Sequence, residues 1–166
     1  MSEKPQVLIV MGSDSDIPVM EEAKHILDKF GIPYEMRISS AHRSPAKTMA
    51  LASEAADRGI RIIIAGAGMA AHLAGVVAAK TILPVIGVPM PGGALNGVDA
   101  LYSTVQMPGG IPVATMAIGK AGAKNAGLFA AQILALNDEN LRTALINYRQ
   151  EVDQEVAQKD AALQNS

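Results

Sequence analysis

Apolar residues along this chain fall into short blocks separated by polar turns. Val7-Leu8-Ile9-Val10-Met11 is a continuous apolar run, too short for a helix and suited to a strand buried on both faces. After the turn Gly12-Ser13-Asp14-Ser15-Asp16, the spacing of Met20, Ala23, Leu27 and Phe30 predicts a helix that ends before Gly31, with Asp16 as its N-cap. Tyr34 to Ser39 reads as a second strand. A helix from Pro45 to Arg58 follows, with Ser44 as cap, proline in the first turn and Gly59 as the stop. Arg61 to Ala65 and Val85 to Val88 are the third and fourth strands, with a helix from about Ala70 to Lys80 between them. A Pro/Gly-rich loop from Pro89 to Gly93 leads to a helix near Asn96 to Val105. Pro112 to Ile118 is the fifth strand, and residues 120 to 136 form a helix rich in small side chains.

This alternation predicts parallel strands joined by right-handed crossovers with helices on both faces. The expected architecture is an α/β, three-layer α/β/α sandwich of flavodoxin-like type around a central parallel five-stranded sheet. Beyond Asn137, a segment capped by Asp138 repeats Leu141, Leu145, Tyr148, Val152 and Val156 at helical spacing. The reading is therefore one catalytic domain over residues 1–166, with a core at about 6–136. A helical extension at about 138–164 is free to pack on a neighbouring subunit.

The 166 residues are 49% hydrophobic but only 3% aromatic, so the core must be built from aliphatic side chains and closely packed backbone. A formal net charge of −2 without basic clusters argues against nucleic acid as a partner and favours a small ligand. The absence of cysteine removes disulfides, thiol catalysis and Cys-based zinc sites, and agrees with a cytoplasmic protein. Glu3 and Lys4 lead straight into the first strand, so no secretory leader is expected. The uncharged stretch from Ile62 to Ala79 holds three glycines and His72 and reads as strand, loop and buried helix, not as a membrane span. From Ile62 through Val98 the only formal charge is Lys80, which points to a homo-oligomer whose subunits cover part of that surface.

In open parallel sheets, ligands bind beyond the carboxyl ends of the strands where the strand order reverses. In the common order 2-1-3-4-5, the loops after strands one, two and three meet there. They carry Ser13, Ser15 and Asp16; Ser40, His42 and Arg43; and Gly66, Gly68 and His72. Serine hydroxyls and a helix N-terminus suit a phosphate, and the planar guanidinium of Arg43 can grip it with two bonds. Asp16 would repel the dianion, so its place is with ribose hydroxyls. His42 and His72 lie just past strand ends, and imidazole, with an ordinary pKa of about 6.5, is the side chain best matched to proton transfer at neutral pH. Two histidines without a supporting acid or cysteine make a poor metal site. His25, beside Lys24 within a helix, reads as a surface residue.

Gly66-Ala67-Gly68-Met69-Ala70-Ala71 fits a relaxed dinucleotide fingerprint, but no acidic residue occurs between Asp57 and Asp99 to hold a ribose. Gly119-Lys120 lacks both the leading glycine and the following hydroxyl of a phosphate loop. No cofactor is expected. The glycines instead let backbone approach a flat ring, which assigns Ala67 and Gly68 to the ligand.

Taken together, "MGSDSD" (residues 11–16), "SSAHRSP" (39–45), "AGAGMAAHLAG" (65–75) and "VQMPGGIPVATMAIGKAGAKNAGLFAAQIL" (105–134) resemble the bacterial 5-(carboxyamino)imidazole ribonucleotide mutases of purine biosynthesis. The resemblance covers roughly residues 6 to 136 and departs from the family pattern at Met69, commonly glycine, and Ala74, commonly proline. It implies an octameric enzyme, an isomerase that uses no metal or organic cofactor, whose C-terminal helix contacts neighbouring subunits. The implied substrate is an aminoimidazole ribonucleotide whose carboxylate moves from the exocyclic nitrogen to ring carbon 4. It further implies that Ser13, Asp16 and Arg43 hold the ribosyl phosphate, with Ser40 supporting them. His42 is then the general acid/base and His72 lies beside the carboxylate's destination. A related carboxylase acting on free carbon dioxide, and a non-catalytic nucleotide-binding module, remain open at this point.

Overall fold

The computed structural model describes residues 4–165; Met1 to Glu3, part of the basis for expecting no leader, and Ser166 lie outside them. The described residues group into two compact units, one through Ala130 and one from Ala131 onward. The first unit is built on five parallel strands, β1 (Val7–Met11), β2 (Tyr34–Ile38), β3 (Ile62–Ala67), β4 (Val85–Pro89) and β5 (Ala114–Thr115), in the order β2-β1-β3-β4-β5. Every residue of β1 and β4 is buried, as a strand covered on both faces requires. Val7 pairs with Tyr34 on one side and Ile62 on the other, which places the ends of β1, β2 and β3 level with one another.

The crossover helices are α1 (Ile17–Lys29), α2 (Pro45–Ser53), α3 (Leu73–Ala78), α4 (Val98–Val105) and α5 (Lys120–Leu134). On one face of the sheet, Leu8, Val10, Ile63, Ala65 and Val85 form a single cluster with Ala52 of α2 and Leu73, Ala74 and Val77 of α3. On the other, Gly66 leaves room for Met20 of α1, whose sulfur would lie 2.6 Å from any Cβ placed there. Burial of aliphatic side chains of this size contributes about 1.5–3 kcal/mol each. The fold is flavodoxin-like, as expected.

Several element ends differ from the sequence reading. Helix α2 stops at Ser53 and the chain reaches Gly59, at φ +96°, through successive turns, because Arg58 N–H and Ile60 N–H both return to the carbonyl of Ala55. Helix α3 is confined to six residues, starting after His72 rather than at Ala70. Strand β5 keeps only two residues. Past Met116, whose N–H meets Gly87 O at 2.9 Å, the chain turns toward α5, with Gly119 N–H bonded to Pro89 O. Asp16 and Ser44 precede α1 and α2, yet neither side chain caps its helix.

In the second unit, α6 (Glu139–Gln164) is capped as expected, with Asp138 Oδ1 accepting from Leu141 N–H at 3.0 Å. Among the described residues no helix is long and apolar enough to cross a membrane.

Candidate active site

The strand order reverses between β1 and β3, and a cavity of about 440 Å³ opens there at the carboxyl ends of the strands. All of Ser13, Ser15, Asp16, Ser40, His42, Arg43, Ala67, Gly68 and His72 line it. Three loops far apart in sequence have converged because parallel pairing puts every strand's carboxyl end on the same edge.

The first loop is a single turn of 3-10 helix, Asp14–Asp16. Its shape is fixed by reciprocal bonds: Ser15 N–H donates to Ser13 Oγ at 3.4 Å, and Ser13 N–H donates to Asp16 Oδ2 at 3.1 Å. Burial pushes the Asp16 carboxyl above its ordinary value. Bonds from Ser13 N–H, the Ser15 hydroxyl and Gly12 N–H pull it back, and the nearby charge of Asp14 adds to the rise.

The second loop is tied to itself and to the first. Arg43 N–H donates to Ser40 Oγ at 3.1 Å, and Arg43 Nη2 donates to Gly12 O at 3.0 Å. One guanidinium nitrogen is thus spent on orientation, and the exposed remainder faces the cavity. The third loop follows β3. Met90 N–H holds Ala67 O at 2.9 Å, and Gly68 sits so close to Met90 that a Cβ would lie 3.3 Å from the methionine's own. Met69 has φ +53°, the left-handed region that favours glycine. Ser103 Oγ donates to its carbonyl at 3.4 Å.

His42 and His72, thirty residues apart in sequence, meet across the cavity. Their nitrogens Nε2 and Nδ1 are 2.7 Å apart, with the rings edge to face at 81°. One nitrogen must donate and the other accept, so the tautomer of each ring is set by the other. Among the described residues no group of three or more His, Cys, Asp and Glu side chains is arranged to hold a metal ion.

A profile of the AIR carboxylase family matches residues 6–155. The chain belongs to that family. It is 53% identical over 163 residues to the N5-carboxyaminoimidazole ribonucleotide mutase of Pyrococcus horikoshii, covering 98% of this chain and 91% of that one. It is 55% identical over 160 residues to the mutase of the same name from Bacillus subtilis, covering 96% and 99%. Among solved structures, the crystal structure of Treponema denticola PurE superposes with a TM-score of 0.85 at 34% identity, covering 96% of this chain and 98% of that one.

Ala41, Met69, Ala70 and Leu73 also line the cavity of this AIR carboxylase family member and were missed from sequence. Apolar side chains carry no chemical signal of their own. Their only mark was position, each lying within two residues of a histidine or glycine already singled out.

Proposed function

We propose that this enzyme moves the carboxylate of N5-carboxyaminoimidazole ribonucleotide from the exocyclic nitrogen to ring carbon 4 in purine biosynthesis, giving 4-carboxy-5-aminoimidazole ribonucleotide. The observation that carries the reading is the joining, in one cavity of about 440 Å³, of an imidazole pair with a guanidinium and serine hydroxyls. That size suits a nucleotide. Ser13, Ser40 and Arg43 take the phosphate, Asp16 and Ser15 the ribose side, and Ala67 and Gly68 the flat ring.

The chemistry follows from proton bookkeeping. The carbamate C–N bond breaks, releasing carbon dioxide, and the exocyclic nitrogen takes a proton from His42. Carbon 4 attacks the carbon dioxide held against it, and the proton that carbon 4 then loses returns to His42. The imidazole ends as it began. His72, bonded to His42, orients the ring and shares the proton while carbon dioxide is free. Such transfers contribute about 10²- to 10⁴-fold, and confinement of the small intermediate adds a proximity term.

Direct carboxylation of aminoimidazole ribonucleotide is the second reading, favoured by the description of the matching family as AIR carboxylase. Supplying each nucleotide separately in bicarbonate-depleted buffer separates the two. The expected result is sustained turnover of the carbamate and none of the unmodified nucleotide.

The chain acts as one catalytic domain within a cytoplasmic homo-octamer. Supporting this is an apolar stripe along α4 and the residues before it, where Leu95, Val98, Tyr102 and Val105 are 60%, 43%, 62% and 48% exposed at helical spacing. Helix α6 likewise leaves Ile146, Val152, Val156 and Leu163 open for neighbouring subunits. Light scattering in solution gives the subunit number directly, eight being the expected value.

A further inference from the structure

Only three polar residues are buried among the described residues, Ser39, Thr48 and Thr104. Thr104 bonds the carbonyl one turn back in its own helix, at Ala100 O, and needs no further account. Ser39 and Thr48 are different. Each is 1% exposed, and their hydroxyl oxygens lie 2.8 Å apart. Thr48 Oγ1 also donates to Ser44 O at 3.2 Å, which spends its single proton and makes Ser39 the donor to Thr48.

The relay runs onward from there. Ser44 Oγ donates to Ser40 O at 3.1 Å and accepts from Ser40 N–H at 3.0 Å, and Ser40 Oγ accepts from Arg43 N–H. Ser39 in turn is anchored to the sheet, its N–H bonded to Met11 O at 2.8 Å. Ser39 and Ser44 therefore bracket the four residues Ser40 to Arg43, and Thr48, from inside α2, hydrogen-bonds to both brackets. Ala41 and His42 make no backbone or side-chain bond to α2 of their own that would fix their height above the sheet.

We propose that Thr48 is a positioning residue: its buried hydroxyl, bridging Ser39 and Ser44, sets where His42 and Arg43 stand over the cavity. This rests on the reading of His42 as the acid/base. Elsewhere α2 meets the sheet through apolar side chains, Ala52 lying in one buried cluster with Leu8 and Val10 of β1. A hydroxyl at Thr48 costs burial of a polar group and returns direction, because a hydrogen bond fixes an angle where a methyl contact does not.

The test is a set of three variants in the full-length enzyme, with kcat, KM and hydrogen exchange of the 39–47 segment measured on each. Thr48→Val keeps the shape but strands the Ser39 hydroxyl. The expected result is kcat lowered about 10-fold or more, KM within about threefold, and faster exchange across 39–47. Thr48→Ser restores the hydroxyl and is expected to recover kcat and protection. Ser39→Ala/Thr48→Val removes both partners, so that nothing buried is left unsatisfied and the melting temperature recovers. Its kcat is expected to stay low, since the direction is still missing. The proposal is overturned if Thr48→Val turns over at the wild-type rate, if Thr48→Ser is as slow as Thr48→Val, or if the double variant regains activity together with stability. Exchange across 39–47 does not depend on which substrate is turned over, so an inactive wild type would sink the functional reading while leaving the positioning result to stand or fall separately.

Discussion

His42 Nε2 and His72 Nδ1 are hydrogen-bonded at 2.7 Å from loops that follow two different strands. Neither ring is held by an acid, so the orienting partner of each imidazole is the other. A substitution that removes one ring therefore removes a donor or acceptor from the second as well. Replacement of His42 by asparagine preserves a polar side chain but ends proton transfer, and kcat is expected to fall at least about 10²-fold. Nucleotide affinity, measured by calorimetry, and the melting temperature should both stay near wild type. Turnover at wild-type rates would remove His42 from the acid/base role.

Arg43 divides its guanidinium between Gly12 O and the cavity. Arg43→Ala is expected to weaken nucleotide binding about 10- to 100-fold, the range for a lost hydrogen bond to a charged group. Arg43→Lys should recover only part of this, since an ammonium cannot bond Gly12 O and fork onto a phosphate together. Full recovery by lysine, seen in titration calorimetry, would reduce the role of Arg43 to charge alone.

Asp16 holds its proton more tightly when folded than when unfolded, because burial disfavours the anion. The native state then binds more protons over the window that opens at the ordinary value of 3.8, so this group's contribution to stability falls as pH rises through that window. Asp16→Asn is expected to melt no lower than wild type at neutral pH. That margin should shrink to nothing as pH is lowered below the ordinary value. The same variant should bind nucleotide more weakly, since an amide offers ribose hydroxyls one acceptor oxygen where a carboxylate offers two. A variant that binds as wild type does would remove Asp16 from the ligand.

Gly122 opens α5 where a Cβ would lie 1.6 Å from Ala117 O, a backbone atom that no rotamer change can move aside. Gly122→Ala is expected to destabilise the enzyme by about 3 kcal/mol or more. A shift of the urea midpoint to lower concentration measures it, and an unchanged midpoint would mean that the Ala117 turn relaxes freely.

The strands were legible because aliphatic runs such as residues 7–11 and 62–64 can be satisfied only by burial on both faces, and that requirement is local. That the polar residues of three loops would share one cavity was legible for a related reason. Parallel strands send all their following loops to one edge, so polar residues after β1, β2 and β3 had to share it. Element ends were less legible. Helix α2 stops five residues before Arg58 because turns closing on Ala55 compete with further helix, a balance that periodicity does not record.

By itself, then, the sequence determined the layers and which polar side chains reach the cavity, since these follow from periodicity and from parallel strands sending their loops to one edge. Tertiary structure alone decided that His42 bonds His72, that Asp16 turns back on Ser13 rather than capping α1, and that Thr48 joins the two ends of the histidine loop. The physical reason is range. Periodicity reports where a side chain must hide from water, whereas a hydrogen bond between residues thirty positions apart depends on distances that exist only once the sheet has brought their loops together.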